Sequence, residues 1–271
     1  MTSAQQEPVS YAASLYLWPR RTLYLGFIGH LSPLCHAAHA LLLGLDRDIR
    51  VKVSGADVAA RCMLMPAGLS YSAEFDGGRI ACCFLDPLGR DFRFHQARMQ
   101  RHSSGVYLEA PEEAQLLTVL AGLHDSHASI SQTLAAVSAL IFGGQDQSAP
   151  ADEPDARIAH AVELIQRDPA ANVSIDVLAE QVGLSGDRLQ RLFKDTTGVT
   201  VRRYRSWHRL FVISTMMAMG SSLTDAGLAA GFSDSSHLTR VFRDMLGMSP
   251  STVLRRSKQV RILVGSDPAD S

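Results

Sequence analysis

A repeated pattern lies in the C-terminal third of the chain: residues 183–198 read GLSGDRLQRLFKDTTG, and residues 231–247 read GFSDSSHLTRVFRDMLG. From Leu189 and Leu238 onwards, both segments follow Leu-x-Arg-x-Phe-basic-Asp-x-x-Gly, at an offset of 49 residues (238 minus 189). The turn before the second leucine is one residue longer. Shared positions at one fixed spacing indicate a duplicated structural unit.

Each repeat predicts a helix-turn-helix unit. In the first, a short helix over residues 175–182 is expected to end at Gly183, where a positive φ is favoured. Ser185 and Ser233 are the expected N-caps of the two following helices. The apolar spacing turns inward Leu189, Leu192 and Phe193 in the first unit and Leu238, Val241 and Phe242 in the second. The side chains left on the outer faces are Asp187, Gln190, Arg191, Lys194, Ser235, Ser236, Thr239 and Arg240.

These outer faces have the chemistry of a DNA-binding surface. Arginine pairs bidentately with guanine and glutamine with adenine in the major groove. The net charge of the chain is −1, but residues 186–261 hold 13 basic against 5 acidic residues, a local surplus of +8. Arg191 and Arg240 could contact base edges or phosphates, and both interpretations stay open. The expected DNA contacts also include the basic residues Arg202, Arg203, Arg205 and Arg243.

The segment from about Asp155 to Arg256 resembles the DNA-binding domain of the AraC/XylS family of bacterial transcription regulators. The matching motifs are LQRLFK, AGFSDSSHLTRVFR and GMSP. The resemblance implies two helix-turn-helix units joined by a long helix, here Val201 to about Gly220. It places the base-reading positions on Asp187, Gln190 and Arg191 in the first unit, and on Ser235, Ser236, Thr239 and Arg240 in the second.

Two positions depart from the family pattern. Ala226-Gly227 stands where family members commonly have Ile-Ala, and Leu254 stands where an aromatic residue is usual. Glycine costs about 1 kcal/mol relative to alanine inside a helix. We therefore expect the second unit to be less rigid than the first.

The N-terminal half predicts a small β-domain followed by two helices. Short runs of β-forming residues recur about every ten residues, at 22–28, 40–43, 49–53, 62–65, 69–75 and 79–85, with turn signals between them. Residues 111–123 and 129–142 then change to helical spacing, which suits core packing or a dimer interface. Short strands at this spacing indicate an antiparallel barrel or sandwich, and the family resemblance implies a cupin-like antiparallel β-barrel. The predicted class is α+β with two domains, the C-terminal one all-α.

A polar segment separates the two halves. Residues 143–154 read GGQDQSAPADEP, which contains no bulky apolar side chain and is expected to be a linker. The predicted organisation is an effector-binding and dimerisation domain over 1–142, the linker, an AraC-type DNA-binding domain over 155–258, and a tail over 259–271.

The histidines and cysteines of the first half raise a metal or redox hypothesis. Cupin metal sites typically use His-x-His, in which both imidazoles lie on one face of a strand, and no such pair occurs. We expect no metal or other cofactor, and we assign His36 and His39 to the lining of an effector pocket. The vicinal Cys82-Cys83 are expected to be buried small hydrophobes. Metal or redox sensing by these groups stays open.

Taken together, the sequence predicts a cytoplasmic transcription regulator that binds double-stranded DNA and responds to an unidentified small-molecule effector. A homodimer and RNA polymerase are the other expected partners. The first residues have no secretion signal, and no apolar run has the ~20 residues of a membrane span. No nucleophile with its base is recognisable, so we expect no enzymatic activity. The alternative is a DNA-binding architectural or interaction factor without an effector. Whether transcription is activated or repressed stays open.

Overall fold

The computed structural model describes residues 12–142, 154–250 and 260–266, so nearly all of the predicted linker lies outside the described residues. The first range contains eleven strands: β1 (Ala13–Trp18), β2 (Arg21–Phe27), β3 (His30–Cys35), β4 (His39–Gly44), β5 (Ile49–Val53), β6 (Ala56–Ala60), β7 (Cys62–Met65), β8 (Ser70–Glu74), β9 (Arg79–Leu85), β10 (Gln100–Arg101) and β11 (Tyr107–Leu108). It also contains three helices: α1 (Arg90–Gln96), α2 (Glu113–Asp125) and α3 (Ile130–Ser138).

The second and third ranges supply the helical domain and one further strand. The helices are α4 (Ala156–Arg167), α5 (Ile175–Gln181), α6 (Gly186–Thr197), α7 (Val201–Ala218), α8 (Leu223–Ala229) and α9 (Ser235–Leu246). The strand is β12 (Val260–Val264). None of the helices in these described ranges is long and apolar enough to cross a membrane.

The N-terminal domain is built in three layers. An eight-stranded sheet, in the order β10-β11-β7-β4-β9-β2-β1-β12, faces a four-stranded sheet, in the order β3-β8-β5-β6. Every residue of β4 is buried, because Leu41 and Leu43 pack towards α2 and α3 while Ala40 and Leu42 pack towards the small sheet. The α+β class and the two-domain order are confirmed. In place of a closed barrel there are two sheets, antiparallel except for the pair β1 and β12, that do not close into one barrel.

The adjacent cysteines lie on opposite faces of β9. Cys83 packs among the side chains under α2 and α3, and Cys82 packs between the two sheets, because successive residues of a strand point in opposite directions. Burial raises the pKa of both thiols above the usual range. Both side chains therefore act as small apolar core residues.

The helices α2 and α3 cover the large sheet. Leu116, Leu120 and Val137 are buried in the core beneath them, as the helical spacing predicts. Ser129 begins α3 with a capping box, in which its hydroxyl and the Gln132 side chain each bond to the backbone of the other residue. Core packing is thus one role of α3, and dimerisation through it stays a prediction.

The predicted tail contains a strand that returns to the N-terminal domain. β12 pairs in parallel with β1, with Ala13 opposite Val260 and Leu17 opposite Val264. The Gly265 amide continues the pairing by donating to the Leu17 carbonyl at 3.0 Å. The Arg261 guanidinium reaches the Ala128 carbonyl, next to the N-cap of α3. The chain beyond the helical domain therefore forms an edge of the large sheet.

Candidate DNA-binding surface and ligand cavity

The first helix-turn-helix unit consists of α5 and α6. Ser174 caps α5 by accepting a hydrogen bond from the Val177 amide at 3.2 Å, and Gly183 turns the chain with φ 68°. Leu189 and Phe193 are fully buried. Asp187, Gln190, Arg191 and Lys194 are all exposed, as the helical spacing predicts. Ser185 occupies the N-cap position of α6 but makes no side-chain capping bond.

The second unit consists of α8 and α9, and its cap differs from the predicted one. Asp234, not Ser233, begins α9, because its carboxylate accepts a hydrogen bond from the His237 amide at 2.7 Å. That bond, with a second from the Ser233 hydroxyl, lowers the pKa of Asp234. A charged carboxylate at the positive end of a helix is a stronger cap than a neutral hydroxyl. The outer face exposes Ser235, Ser236, Arg240 and Arg243, with Thr239 half-buried.

Gly227 makes close packing possible in the second unit. Gly227 and Ala226 are both buried, and a Cβ at Gly227 would lie 2.9 Å from Cδ2 of Leu238. The missing side chain lets α8 lie directly against α9. The glycine that weakens the isolated helix thus also brings the two helices into contact, and the expected loss of rigidity stays a prediction.

The three arginines at the start of α7 have different surroundings. Arg202 is exposed. Arg203 donates to the Cys35 carbonyl of the N-terminal domain at 2.5 Å and to the Asp244 carbonyl at 3.2 Å. Arg205 donates to the Val173 carbonyl at 2.6 Å, and burial lowers its pKa. Among these three arginines, the predicted contact with a DNA phosphate fits only the exposed Arg202, because Arg203 and Arg205 donate to backbone carbonyls.

Replacing Arg202 by alanine should weaken binding to specific and random DNA about equally. If its guanidinium neutralises one phosphate, the slope of log K against log salt should become shallower by about 1. Titrations of operator and random duplexes at several salt concentrations measure both effects. Arg205→Ala is the matched control, because its guanidinium holds the α4–α5 connection and its loss should lower stability. An unchanged salt slope in Arg202→Ala would remove this residue from the DNA-binding surface.

The helices α6 and α9 both end at glycines that pack against the N-terminal domain. Gly198 and Gly247 occupy the same position of the repeat, with φ 78° and 66°. A Cβ at Gly198 would lie 2.8 Å from the Ala67 carbonyl oxygen. A Cβ at Gly247 would lie 2.7 Å from Cδ2 of Leu34 and 2.8 Å from the Ser32 carbonyl oxygen. The two equivalent glycines of the repeat therefore end their helices and also bring them into close contact with the N-terminal domain.

A cavity of about 200 Å³ lies where the two domains meet. The N-terminal domain supplies strand residues and α7 and α9 supply the opposite wall, while Val260 of β12 completes it. The residues that line it are Leu15, Leu17, Thr22, Tyr24, Ile28, Leu31, His36, Leu42, Phe75, Ile80, Cys82, Phe84, Trp207, Leu210, Phe211, Ser214, Phe242, Leu246, Met248 and Val260.

The two histidines assigned to an effector pocket have different roles. His36 lines the cavity, where its Nδ1 lies 3.1 Å from the Tyr71 hydroxyl and its ring contacts Phe84 and Trp207. His39 accepts a hydrogen bond from the Ala67 amide at 2.9 Å and stacks on Phe92, away from the cavity. His39 therefore does not line this cavity, because its ring supports the β7–β8 turn, and its role in effector binding stays a prediction.

Burial keeps both rings neutral. It lowers the pKa of His36 to about 3, helped by the positive charge of Arg203, and it lowers the pKa of His39 to about 3. Sequence reasoning missed the aromatic and aliphatic side chains of α7 and α9 as cavity lining. Their apolar spacing is equally typical of packing within the helical domain, so no local signal separates the two roles. Across residues 12–142, 154–250 and 260–266, no histidines, cysteines and carboxylates cluster as metal ligands.

Comparison with known proteins identifies the helical domain. The helix-turn-helix domain family matches residues 178–256. The chain is 38% identical over 93 residues to the bifunctional transcriptional activator/DNA repair enzyme Ada of Escherichia coli K12. It is 31% identical over 103 residues to the transcriptional activator RhaS of Escherichia fergusonii. Residues 178–256 of the chain therefore carry a helix-turn-helix domain. The resemblance inferred from the sequence motifs is confirmed.

The similarity to these curated relatives covers only part of each chain. The matched segment covers 34% of this chain and 26% of Ada, and 38% of this chain and 37% of RhaS. The fold extends further. The structure of unsaturated fatty acid bound wild-type ToxT from Vibrio cholerae superposes with a TM-score of 0.55 at 11% identity, covering 92% of this chain and 96% of ToxT. The two-domain fold of this chain is thus shared with a solved structure.

Proposed function

We propose that this protein is a sequence-specific DNA-binding transcription regulator whose DNA binding responds to a small molecule held at its N-terminal domain. The observation that carries the proposal is the pair of exposed polar helix faces, each with an arginine at the same position of the repeat. Arg191 and Arg240 project from α6 and α9 beside exposed Gln190 and Ser236. Side chains of these types on an exposed helix suit the major groove.

The length of α7 supports simultaneous binding by both units. Its 18 residues span about 27 Å at 1.5 Å per residue. One turn of B-DNA is about 34 Å, so a connecting helix of this length can serve two successive major grooves on one face of the duplex. The proposed partners are double-stranded DNA, a small-molecule effector, RNA polymerase and a second copy of the chain. The proposed domains are 1–142 and 155–258.

The position of the cavity supports coupling between effector and DNA. Its wall includes Trp207 and Leu210 of α7 and Phe242 and Leu246 of α9. Phe242 also packs beneath the outer face that carries Arg240. A ligand that fits one arrangement of the domains better than another shifts the population towards that arrangement. The unsaturated fatty acid bound to ToxT is a precedent for a small, largely apolar ligand in a protein of this architecture.

Separate substitutions of the two arginines test the proposed DNA contacts. Arg191→Ala should relax base preference in one short segment of the operator, and Arg240→Ala should relax it in a second segment. The centres of the two segments should lie about one turn of the DNA helix apart. Each loss should be about 1–3 kcal/mol if the arginine is bidentate to guanine. Operator libraries selected with each variant give the affected base pairs. Less discrimination is expected where the arginine only contacts phosphate.

The matched control is Arg50→Ala, an exposed arginine of β5 that is paired with Asp76 at 2.7 Å. It changes the charge by the same amount on the N-terminal domain and should leave base preference unchanged. If Arg191→Ala and Arg240→Ala altered base preference at the same base pairs, the proposal that the two helix-turn-helix units contact different base pairs would be wrong. It would also be wrong if Arg240→Ala altered nothing.

A further inference from the structure

The described residues on the wall of the interdomain cavity are all uncharged. It contains no lysine, arginine, aspartate or glutamate among the described residues that line it. Its polar groups are the side chains of Thr22, Tyr24, His36 and Ser214, together with the Cys82 thiol. The rest of the wall is aliphatic and aromatic. A site of this composition binds mainly through apolar contact.

Several of the polar groups already have partners. The Tyr24 hydroxyl donates to the Phe27 carbonyl at 3.1 Å, and the Ser214 hydroxyl donates to the Leu210 carbonyl at 2.9 Å. The nearby Arg203 donates from Nε and Nη2 to the Cys35 and Asp244 carbonyls and does not line the cavity. A carboxylate in the cavity would therefore lose hydration without gaining a cationic partner among the described residues of the wall, which is unfavourable.

His36 provides a hydrogen-bonding group of fixed position. Its Nδ1 is engaged with Tyr71, and both side chains are buried. If the Tyr71 hydroxyl donates to Nδ1, the neutral imidazole carries its proton on Nε2. If Tyr71 accepts instead, Nε2 is an acceptor. In either tautomer the ring stays uncharged, so it can bond to a hydroxyl or carbonyl group but cannot neutralise an anion.

The volume limits the size of the ligand. An apolar cavity of about 150 Å³ is large enough to bind benzene. The interdomain cavity, at about 200 Å³, accommodates a ring with a short chain. The aromatic side chains Phe84, Trp207 and Phe211 on its wall favour contact with a planar or aliphatic group.

We propose that the cavity takes an uncharged, predominantly apolar small molecule with a single hydroxyl or carbonyl group that bonds to His36. This inference rests on the proposed function, because it assigns a chemical class to the effector of the same regulator. The proposed ligand differs from an anionic effector. The cavity would select its ligand by shape and by one hydrogen bond to the neutral His36 ring.

A matched pair of probes tests the inference on the full chain. The compounds 4-phenylbutan-1-ol and 4-phenylbutanoate share one carbon skeleton and differ in charge at pH 7.5. The alcohol should raise the thermal midpoint by binding the folded state. The carboxylate should bind at least about tenfold more weakly, because its charge is desolvated without a partner. Titration followed by tryptophan fluorescence measures both affinities, since Trp207 lies on the wall.

A charge added to the wall provides the decisive variant. Leu246→Lys places an ammonium group at the last residue of α9, where a cation also interacts favourably with the helix dipole. This variant should bind the carboxylate more tightly than the unmodified chain does. Leu246→Met is its uncharged control, since Leu and Met have similar volumes, and it should keep the preference for the alcohol.

The outcomes distinguish this inference from the function on which it rests. Operator binding by the ligand-free chain tests the DNA-binding proposal separately. If the unmodified chain bound the carboxylate as tightly as the alcohol, the neutral class would be wrong while an effector role would stand. If neither compound bound to a folded chain that still recognised its operator, the assigned ligand class would be overturned. That result would favour a regulator without an effector.

Discussion

At pH 5 the full chain should be less stable than at pH 7 by roughly 2 kcal/mol for each of three buried histidines. Burial lowers the pKa of His36 and His39 to about 3 and that of His95 to about 4. In the unfolded chain these groups take up a proton near pH 6.5. Below that pH the unfolded state binds more protons than the folded state, so stability falls as the pH is lowered towards the folded pKa values.

Denaturant unfolding of the full chain at pH 7, 6 and 5 measures this loss. His36→Gln removes one of these groups and should make the pH dependence shallower, while His208, whose pKa is also lowered by burial, contributes in the same direction. His30→Gln is the control, because it replaces an exposed histidine of the same domain. Burial raises the pKa of Asp86, which partly offsets the loss as the pH falls. A flat profile between pH 7 and pH 5 would contradict neutral, buried histidines.

Gly247→Ala should destabilise the full chain by about 2–5 kcal/mol. A non-glycine residue in a left-handed conformation costs about 1–2 kcal/mol, and Gly247 has φ 66°. The added methyl group would also overlap Leu34 and the Ser32 carbonyl across the domain interface, and such overpacking costs about 1–3 kcal/mol. The Ser32 amide donates to the Gly247 carbonyl at 3.2 Å, so the backbone cannot withdraw without losing that bond.

Gly183→Ala separates the cost of the left-handed backbone from the cost of the steric overlap. Gly183 has nearly the same φ, 68°, but a Cβ there would meet no atom within 4 Å. Gly183→Ala should therefore lower the free energy of unfolding by only about 1–2 kcal/mol. Urea unfolding of both variants gives the difference, and limited proteolysis of Gly247→Ala should cut more readily between the domains. Equal losses in the two variants would mean that Gly247 does not hold the interface.

The sequence by itself determined the helical domain, because its signals are local. The apolar spacing of Leu189 and Phe193, the αL glycines and the 49-residue repeat each depend on neighbours a few residues away. Half of the twelve described strands, β2, β4, β5, β7, β8 and β9, are also predicted, since β-forming runs separated by turn signals need no tertiary context. The strands β1, β3, β6, β10 and β11 are missed, and so is β12, whose segment VRILV falls within the predicted tail.

Only the tertiary structure decided what joins the domains. Arg203 has the sequence pattern of a phosphate contact, yet the Cys35 carbonyl, 168 residues away, accepts its hydrogen bonds. Gly247 has the pattern of a helix end and also forms a docking point. The cavity combines His36 with Phe242 and Val260, which no local pattern connects. Contacts between distant segments depend on how packed layers meet. Helix and strand periodicity specifies which face of an element is apolar, whereas the packing of the whole chain decides what covers it.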